Sequence, residues 1–343
     1  MNLIKPKKLN KGDTIGILAL SGAVEKKENI LRAKKYFEGK GYNVVLSENI
    51  FDKNRYLAGS DEKKVQELNK FFKDPKINMI LCARGGYGAI RLLNKIDFNL
   101  IKNNPKIFAG YSDVTAIEAM ICKKTGLITF YAPMAQGDFG CGSRSSAVSA
   151  CEEQAEQDEL NDGDVGTQAK PSTTGAMEIN VLKRVEKGFF TTLQNTKELE
   201  ILPLKSKTKI YFEGKCDGVL WGGNLATIAS MCGLDFIPDE KFIFFAEDLN
   251  EDVYKIDRMM TQLLNIEKFR KNLAGIVLGD FLGIDNKKYF DELFFEIGQK
   301  IKKPILSGFK ITHAKEKITL PYGAMAEFST NTKILTVKKY LVS

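Results

Sequence analysis

The first candidate for chemistry is Ser112, within the stretch IFAGYSDVTAIEAM of residues 107–120. An apolar run and a glycine precede Ser112 and a helical pattern follows it, which predicts a strand-to-helix junction. Serine is a favoured N-cap residue, so its hydroxyl could simply cap the helix. The same junction could expose a nucleophile beside the free N–H groups of the helix start, which would stabilise an oxyanion. Because GYSDV lacks the second glycine of the G-x-S-x-G elbow, these residues alone favour neither role.

A serine nucleophile needs a base, and His313 is the single histidine of the chain. Histidine titrates near neutrality and suits proton transfer at pH 7, although a lone histidine is more often structural than catalytic. Glu247 and Asp248 end the apolar run KFIFFAED. Acids at a strand end are commonly just solvated, but a carboxylate there could also orient a histidine, as the third member of a catalytic triad does.

The segment RGGYG of residues 84–88 follows another apolar run, INMILCA. Paired glycines permit close backbone approach and positive φ, which suits a backbone N–H donor aimed at a substrate oxygen or a phosphate. The segment matches neither the phosphate-binding loop nor the dinucleotide fingerprint. A tight turn without function is the alternative, and on these residues alone it is favoured.

These groups stand where predicted strands end. In the first 140 residues apolar runs alternate with helical patterns, of which the clearest are KENILRAKKYFEGKG, DEKKVQELNKFFKD, AIRLLNKI and VTAIEAMICKKTG. Such alternation predicts a parallel sheet covered on both faces, with functional groups at the carboxyl ends of its strands. From residue 178 the pattern is mixed α/β and closes with short alternating strands.

Composition restricts the class of protein. The chain has 343 residues and a net charge of +8, but its lysines are scattered among acids, which argues against nucleic-acid binding. Six cysteines without a C-x-x-C pair indicate neither a zinc site nor a disulfide framework. No signal-peptide pattern or run of about 20 apolar residues is present, so we expect a cytoplasmic protein without a membrane partner.

Residues 141–177 differ from everything around them. They contain no Ile, Phe, Tyr or Trp, and they carry an excess of acids. Such a stretch cannot bury enough apolar surface to offset its ordering entropy, so we expect a disordered insert, natural or engineered. It divides an N-terminal α/β domain of residues 1–140 from a C-terminal β/α domain of residues 178–343.

Eight motifs in order resemble the LD-carboxypeptidase family of serine peptidases, which includes the microcin-immunity hydrolases. The motifs are GDTIGILALS, RGGYGAIRLL, AGYSDVTAI, TFYAPM, GVLWGGNLATIAS, FAEDLNEDVYKIDRMMTQL, AGIVLGDF and GFKITHAKEKITLPYGAMAEF. The resemblance implies a Rossmann- or flavodoxin-like N-terminal parallel sheet domain, a mixed C-terminal domain and an active site at their interface. It also implies a homodimer without metal or other cofactor.

Residue by residue, the resemblance implies a triad of Ser112, Glu247 and His313. It implies an oxyanion hole formed by the backbone N–H groups of Gly86 and Asp113. The expected reaction is release of D-alanine from a murein tetrapeptide during cell-wall recycling. The expected partner is therefore a small peptide substrate.

The substrate contacts are less determined by the sequence. Arg84 is a candidate for the substrate carboxylate, because a guanidinium binds carboxylates well, although a structural role fits it equally. Asn224 is a further candidate contact. The alternative function is a microcin-immunity hydrolase of aminoacyl-nucleotide antibiotics, for which Trp221 could supply an aromatic clamp or could simply be core. A second alternative is a non-catalytic binding protein or display scaffold on the same fold.

Overall fold

A computed structural model describes residues 2–141 and 173–343, with side chains from residue 180 onward in the second stretch. The first of its two sheets has six strands, numbered in chain order. From one edge to the other they are β12 Leu320–Tyr322, β5 Thr129–Tyr131, β4 Ile107–Gly110, β3 Ile77–Cys82, β1 Thr14–Leu18 and β2 Asn43–Leu46. The five strands from β1 to β5 are parallel to their neighbours, and β12 joins β5 antiparallel.

The helices of this region are α1 Lys27–Gly39, α2 Asp61–Lys73, α3 Phe98–Asn103 and α4 Thr115–Thr125. Local sequence explains α2 well: the Ser60 hydroxyl accepts the N–H of Lys63, acids occupy the first turn and lysines the last. The pattern AIRLLNKI does not form the helix predicted from it. Only a 3₁₀ turn forms there, at Ala89–Leu92, after Gly88 with φ +129°.

The second sheet has eight strands and a parallel centre. From edge to edge they are β6 Leu199–Ile201, β14 Ile334–Val337, β13 Met325–Ser329, β8 Lys215–Asn224, β9 Phe242–Leu249, β10 Leu273–Leu282, β11 Ile305–Ser307 and β7 Ile210–Phe212. Strands β8 to β11 run parallel, and the outer strands are antiparallel to their neighbours. Its helices are α6 Leu225–Ser230, α7 Val253–Asn265, α8 Glu267–Asn272 and α9 Lys287–Ile301. The predicted fold class, a parallel-sheet region followed by a mixed β/α region, is confirmed.

The two regions share elements across their boundary. Strand β12 comes from the C-terminal half of the chain and completes the first sheet, with Leu320 opposite Tyr131. A further helix, α5 Thr173–Gln194, packs Phe189 and Phe190 against aromatic rings of the N-terminal region, including Tyr42 at 5.5 Å from Phe190. None of the helices in residues 2–141 and 173–343 is long and apolar enough to cross a bilayer.

The predicted insert lies mostly outside the described residues. Cys141 precedes the gap, and residues 173–177 already belong to α5. The disorder expected for residues 141–177 and the domain limits at 140 and 178 therefore stay predictions.

Candidate active site

Ser112 stands at the carboxyl end of β4, where the chain turns into a helix. Its φ is +63°, in the left-handed region that non-glycine residues rarely adopt. It opens a 3₁₀ turn, Ser112–Val114, that continues directly into α4. Tyr111, not Ser112, occupies the N-cap position, and its side chain makes no capping hydrogen bond. The cap interpretation of Ser112 is therefore wrong, and the strained backbone is typical of a functional position.

The glycine turn after β3 lies against this elbow. A Cβ on Gly85 would lie 2.9 Å from the Ser112 Cβ and 3.0 Å from its Oγ, so only glycine fits beside the serine. Gly86 follows with φ +108°. Within the described part of the chain the N–H of Gly86 donates to no protein acceptor, which leaves it available to a ligand. The N–H groups of Gly86 and Asp113, predicted as oxyanion donors, thus belong to two segments that touch.

Glu247 and His313 form a tight pair. The carboxylate lies in β9 with none of its side chain exposed, and its Oε2 is 2.6 Å from Nδ1 of His313. Assigning the imidazole proton to Nδ1 lets it donate to Glu247 and leaves Nε2 as the basic nitrogen. The ring of Tyr111 packs edge-on against His313 with 5.1 Å between centroids, which holds the imidazole next to the Ser112 elbow. Among the described residues Ser112 and His313 do not hydrogen-bond directly, a looseness that is common before a substrate binds.

Tyr131 connects Ser112 to Glu247, and sequence reasoning missed it. Its hydroxyl donates to Glu247 Oε1 at 2.7 Å and accepts the backbone N–H of Ser112 at 3.4 Å. Burial, and then the charge of Glu247, raise the pKa of Tyr131 well above its ordinary value, so the phenol stays protonated and remains a donor. The TFYAPM motif contains this tyrosine, but nothing in the spacing indicates its partner.

Lys317 is a second residue that the sequence did not reveal. Its ammonium donates to Asp138 Oδ1 at 2.7 Å and to the Tyr111 hydroxyl at 2.9 Å, deep in the interior. Burial opposes its charge, but Asp138 and Tyr111 outweigh this and raise the pKa of Lys317 above its ordinary value. Because Lys317 follows His313 by four residues, this ion pair fastens the His313 loop to the N-terminal region.

The three predicted substrate contacts have different surroundings. Trp221 cannot be an aromatic clamp, because none of its side chain is exposed and it packs among Phe236, Phe242 and Phe244. This corrects its assignment to substrate binding. Arg84 donates to the Ala23 carbonyl at 3.0 Å and pairs with the exposed carboxylate of Glu25, which leaves it near Gly86 and partly accessible.

Asn224 supports the acids rather than facing outward. It lies opposite Glu247 in the β8–β9 register and caps α6 by accepting the N–H of Thr227 at 3.0 Å. Its amide also donates to Asp248 at 2.8 Å. Burial, with Glu247 adding to the effect, raises the pKa of Asp248 to about 6. The Asn224 side chain therefore has protein partners for its amide, and its contact with a substrate stays a prediction.

The described residues contain no group of three side chains suited to hold a metal ion. The arrangement offers the hydroxyl of the half-buried Ser112, an imidazole oriented by a buried carboxylate, and backbone N–H donors around them. This set can perform acyl transfer through a serine nucleophile.

Comparison with known proteins identifies the family. The LD-carboxypeptidase N-terminal domain matches residues 15–132, and the LD-carboxypeptidase C-terminal domain matches residues 217–328. A probable murein peptide carboxypeptidase of Bacillus subtilis is 32% identical, over 97% of this chain and 94% of its own. The chain belongs to the LD-carboxypeptidase family.

Two further likenesses fall on the microcin-immunity side of this family. The microcin C7 self-immunity protein MccF of Escherichia coli is 29% identical, over 97% of this chain and 95% of its own. A structure of MccF in complex with glutamyl sulfamoyl guanosine has a TM-score of 0.80 at 24% identity, covering 98% of this chain and 99% of that one. The latter likeness bears on the fold alone. Membership of the family confirms the predicted peptidase class.

Proposed function

We propose that this chain is a serine-type LD-carboxypeptidase that hydrolyses the amide before a C-terminal D-amino acid. The substrate class is a murein tetrapeptide, which would yield a tripeptide and D-alanine. The observation that carries the proposal is the left-handed Ser112 elbow, joined through Tyr131 to the carboxylate that orients His313. Family membership and the murein peptide carboxypeptidase among the relatives support it.

In the first half of the reaction, Nε2 of His313 takes the proton of Ser112 as Oγ attacks the carbonyl carbon. The N–H groups of Gly86 and Asp113 stabilise the oxyanion that forms. Glu247 stabilises the imidazolium, which then protonates the nitrogen of the leaving D-alanine as the C–N bond breaks. Water attacks the acyl-enzyme with His313 again as base, which releases the shortened peptide and regenerates the serine.

The substrate carboxylate needs a cation, and Arg84 is the proposed one. Its Nη1 is engaged by Ala23 and Glu25, while the rest of the guanidinium lies beside Gly22 and Gly86. Because Glu25 is largely exposed, a bound carboxylate could compete with it for the guanidinium at modest cost.

A second candidate is hydrolysis of an aminoacyl nucleotide, because solved structures of MccF hold glutamyl sulfamoyl guanosine and aspartyl sulfamoyl adenosine. The observation that favours it is an exposed aromatic pair: the rings of Tyr56 and Tyr87 lie 5.8 Å apart, and Tyr87 directly follows Gly86. With Trp221 buried, this pair is an exposed aromatic surface beside Gly86 that a base could contact.

The decisive experiment incubates the wild-type protein and the Ser112→Ala variant with two substrates. One is a murein tetrapeptide, with released D-alanine measured by D-amino acid oxidase, and the other is an aminoacyl-sulfamoyl nucleotide. Serine-dependent D-alanine release supports the first proposal, and serine-dependent turnover of the nucleotide alone supports the second. Turnover of neither would refute both and favour a binding protein or display scaffold.

We also propose that the enzyme is a cytoplasmic homodimer that acts in cell-wall recycling. Light scattering after size exclusion tests the oligomeric state directly. Fractionation of the producing cells tests the location.

A further inference from the structure

Two contacts join the glycine turn to the Ser112 elbow, one on each side of Gly86. Before it, Gly85 packs directly against the Ser112 side chain. After it, the N–H of Ala89 donates to Asp113 Oδ2 at 2.8 Å, in a buried hydrogen bond. The segment that holds one oxyanion donor is therefore fixed to the segment that holds the other.

The Asp113 carboxylate has no part in the Ser-Glu-His chemistry, yet it is nine-tenths buried. Burial raises the pKa of Asp113, while the Ala89 N–H, the Ser21 hydroxyl and the Lys64 ammonium act in the opposite direction. A buried carboxylate lowers the stability of the fold unless its hydrogen bonds compensate for the lost hydration. Its hydrogen bonds are therefore expected to serve the structure or the reaction.

Ion pairs around Asp61 form a second set of contacts to the segment that follows the glycine turn. Lys64 is fully buried and lies 3.1 Å from Asp61 Oδ1. Arg91, in the 3₁₀ turn after the glycines, donates to Asp61 from Nε at 2.9 Å and from Nη2 at 2.7 Å. Ala89 and Arg91 thus both contact acidic side chains. Gly86 lies between these two anchored residues on one side and the packed Gly85 on the other.

We propose that the Asp113 carboxylate is a positioning residue of the oxyanion hole, which sets the Gly86 N–H relative to the N–H of Asp113 itself. The inference rests on the proposed function. Oxyanion donors act only within about 2.7–3.1 Å of the oxygen that becomes charged, so a small displacement of the turn weakens transition-state binding. Substrate binding in the ground state depends on this distance far less.

The test compares Asp113→Ala with Asp113→Asn, which keeps an oxygen able to accept the Ala89 N–H. With a murein tetrapeptide as substrate, we expect the alanine variant to lose roughly 10- to 100-fold in kcat with KM within about threefold of wild type. The kcat of the asparagine variant should be at least about fivefold higher than that of the alanine variant.

A second readout separates positioning from a general structural role. Binding of a peptide boronate, which forms an oxyanion-like adduct on serine, should weaken in parallel with kcat in the Asp113→Ala variant, whereas binding of the product tripeptide should not change. Asp97→Ala is the matched control, because Asp97 also accepts a backbone N–H, that of Leu100 at 2.9 Å, but on the exposed cap of α3. It should lower Tm and leave kcat unchanged.

Unchanged boronate affinity in a folded Asp113→Ala variant would overturn the proposal, and so would a kcat loss equal to that of Asp97→Ala. An inactive wild-type protein would instead refute the proposed function, and this inference with it. If the wild-type protein is active and the Asp113→Ala variant has the same kcat and the same boronate affinity, the positioning role alone is refuted.

Discussion

Replacing Tyr131 by phenylalanine should damage both stability and catalysis. The change removes one oxygen without altering the packing of the ring, which lies 5.3 Å from Phe245 and 6.1 Å from Tyr111. Glu247 then loses its 2.7 Å hydrogen bond and retains His313 at 2.6 Å and an Asn224 contact at 3.5 Å. Hydrogen bonds to charged groups contribute about 1.5–3 kcal/mol, so we expect the free energy of unfolding to fall by about 2 kcal/mol.

The same loss should appear in the rate. In the proposed mechanism Glu247 stabilises the imidazolium in the transition state, and about 2 kcal/mol lost there corresponds to roughly a 30-fold fall in kcat/KM. Urea denaturation gives the first quantity, and D-alanine release from a murein tetrapeptide gives the second.

Tyr340→Phe is the matched control for this experiment. Tyr340 is also a fully buried tyrosine, but its hydroxyl donates to the neutral carbonyl of Thr192 at 3.0 Å, far from the Ser112 elbow in the chain. Its loss should cost about 1 kcal/mol of stability and leave kcat/KM unchanged. If Tyr131→Phe also left kcat/KM at the wild-type value, the link from Ser112 through Tyr131 to Glu247 would have no catalytic role.

Three further predictions follow from buried groups. Lys317→Met leaves the Asp138 charge without its ion-pair partner in the interior and should lower the free energy of unfolding by about 3–5 kcal/mol. The double variant with Asp138→Leu should recover much of this loss. If urea denaturation showed that the losses of the two single variants simply add in the double variant, the reasoning would be contradicted. Trp221→Phe should lower Tm without changing KM, because the ring is core; a raised KM in steady-state kinetics would restore the clamp hypothesis. The pKa of Asp248 is raised to about 6, so its contribution to stability is complete below the ordinary value of 3.8 and declines by up to about 3 kcal/mol as pH rises through 6. Asp248→Asn should flatten that part of the stability profile, and an unchanged profile would argue against the shift.

Much of the first sheet and the place of Ser112, the proposed nucleophile, followed from local pattern. The apolar runs, helix signals and strand-end polar groups were enough to predict parallel strands with Ser112 and the glycine turn at one edge. The predicted donors Gly86 and Asp113 do lie on segments in contact, since β3 and β4 are neighbours. Such placements depend on residues close in sequence and on a common topology, which is why the sequence indicated them.

The errors have identifiable physical causes. AIRLLNKI has helical spacing, but it lies between Gly88 and the Asp97 cap of α3, and so short a segment gains little from helix formation. Trp221 was open to either assignment because its exposure depends on the strands and helices that cover it. The serine cap was excluded only by backbone geometry, since a positive φ at a serine has no signature in sequence.

The partners that sequence could not reveal are those that cross the two regions. Lys317 lies 179 positions from Asp138, and Tyr131 lies 116 positions from Glu247, so neither pair has any local signal. The loop with His313 and Lys317 leads directly into β12, which pairs with β5 in the first sheet and places Leu320 opposite Tyr131. The histidine is thus held by an ion pair before the strand and by backbone pairing after it. Separating His313 from Ser112 therefore requires breaking sheet pairing as well as side-chain contacts, so we expect the proposed catalytic groups to stay assembled without substrate.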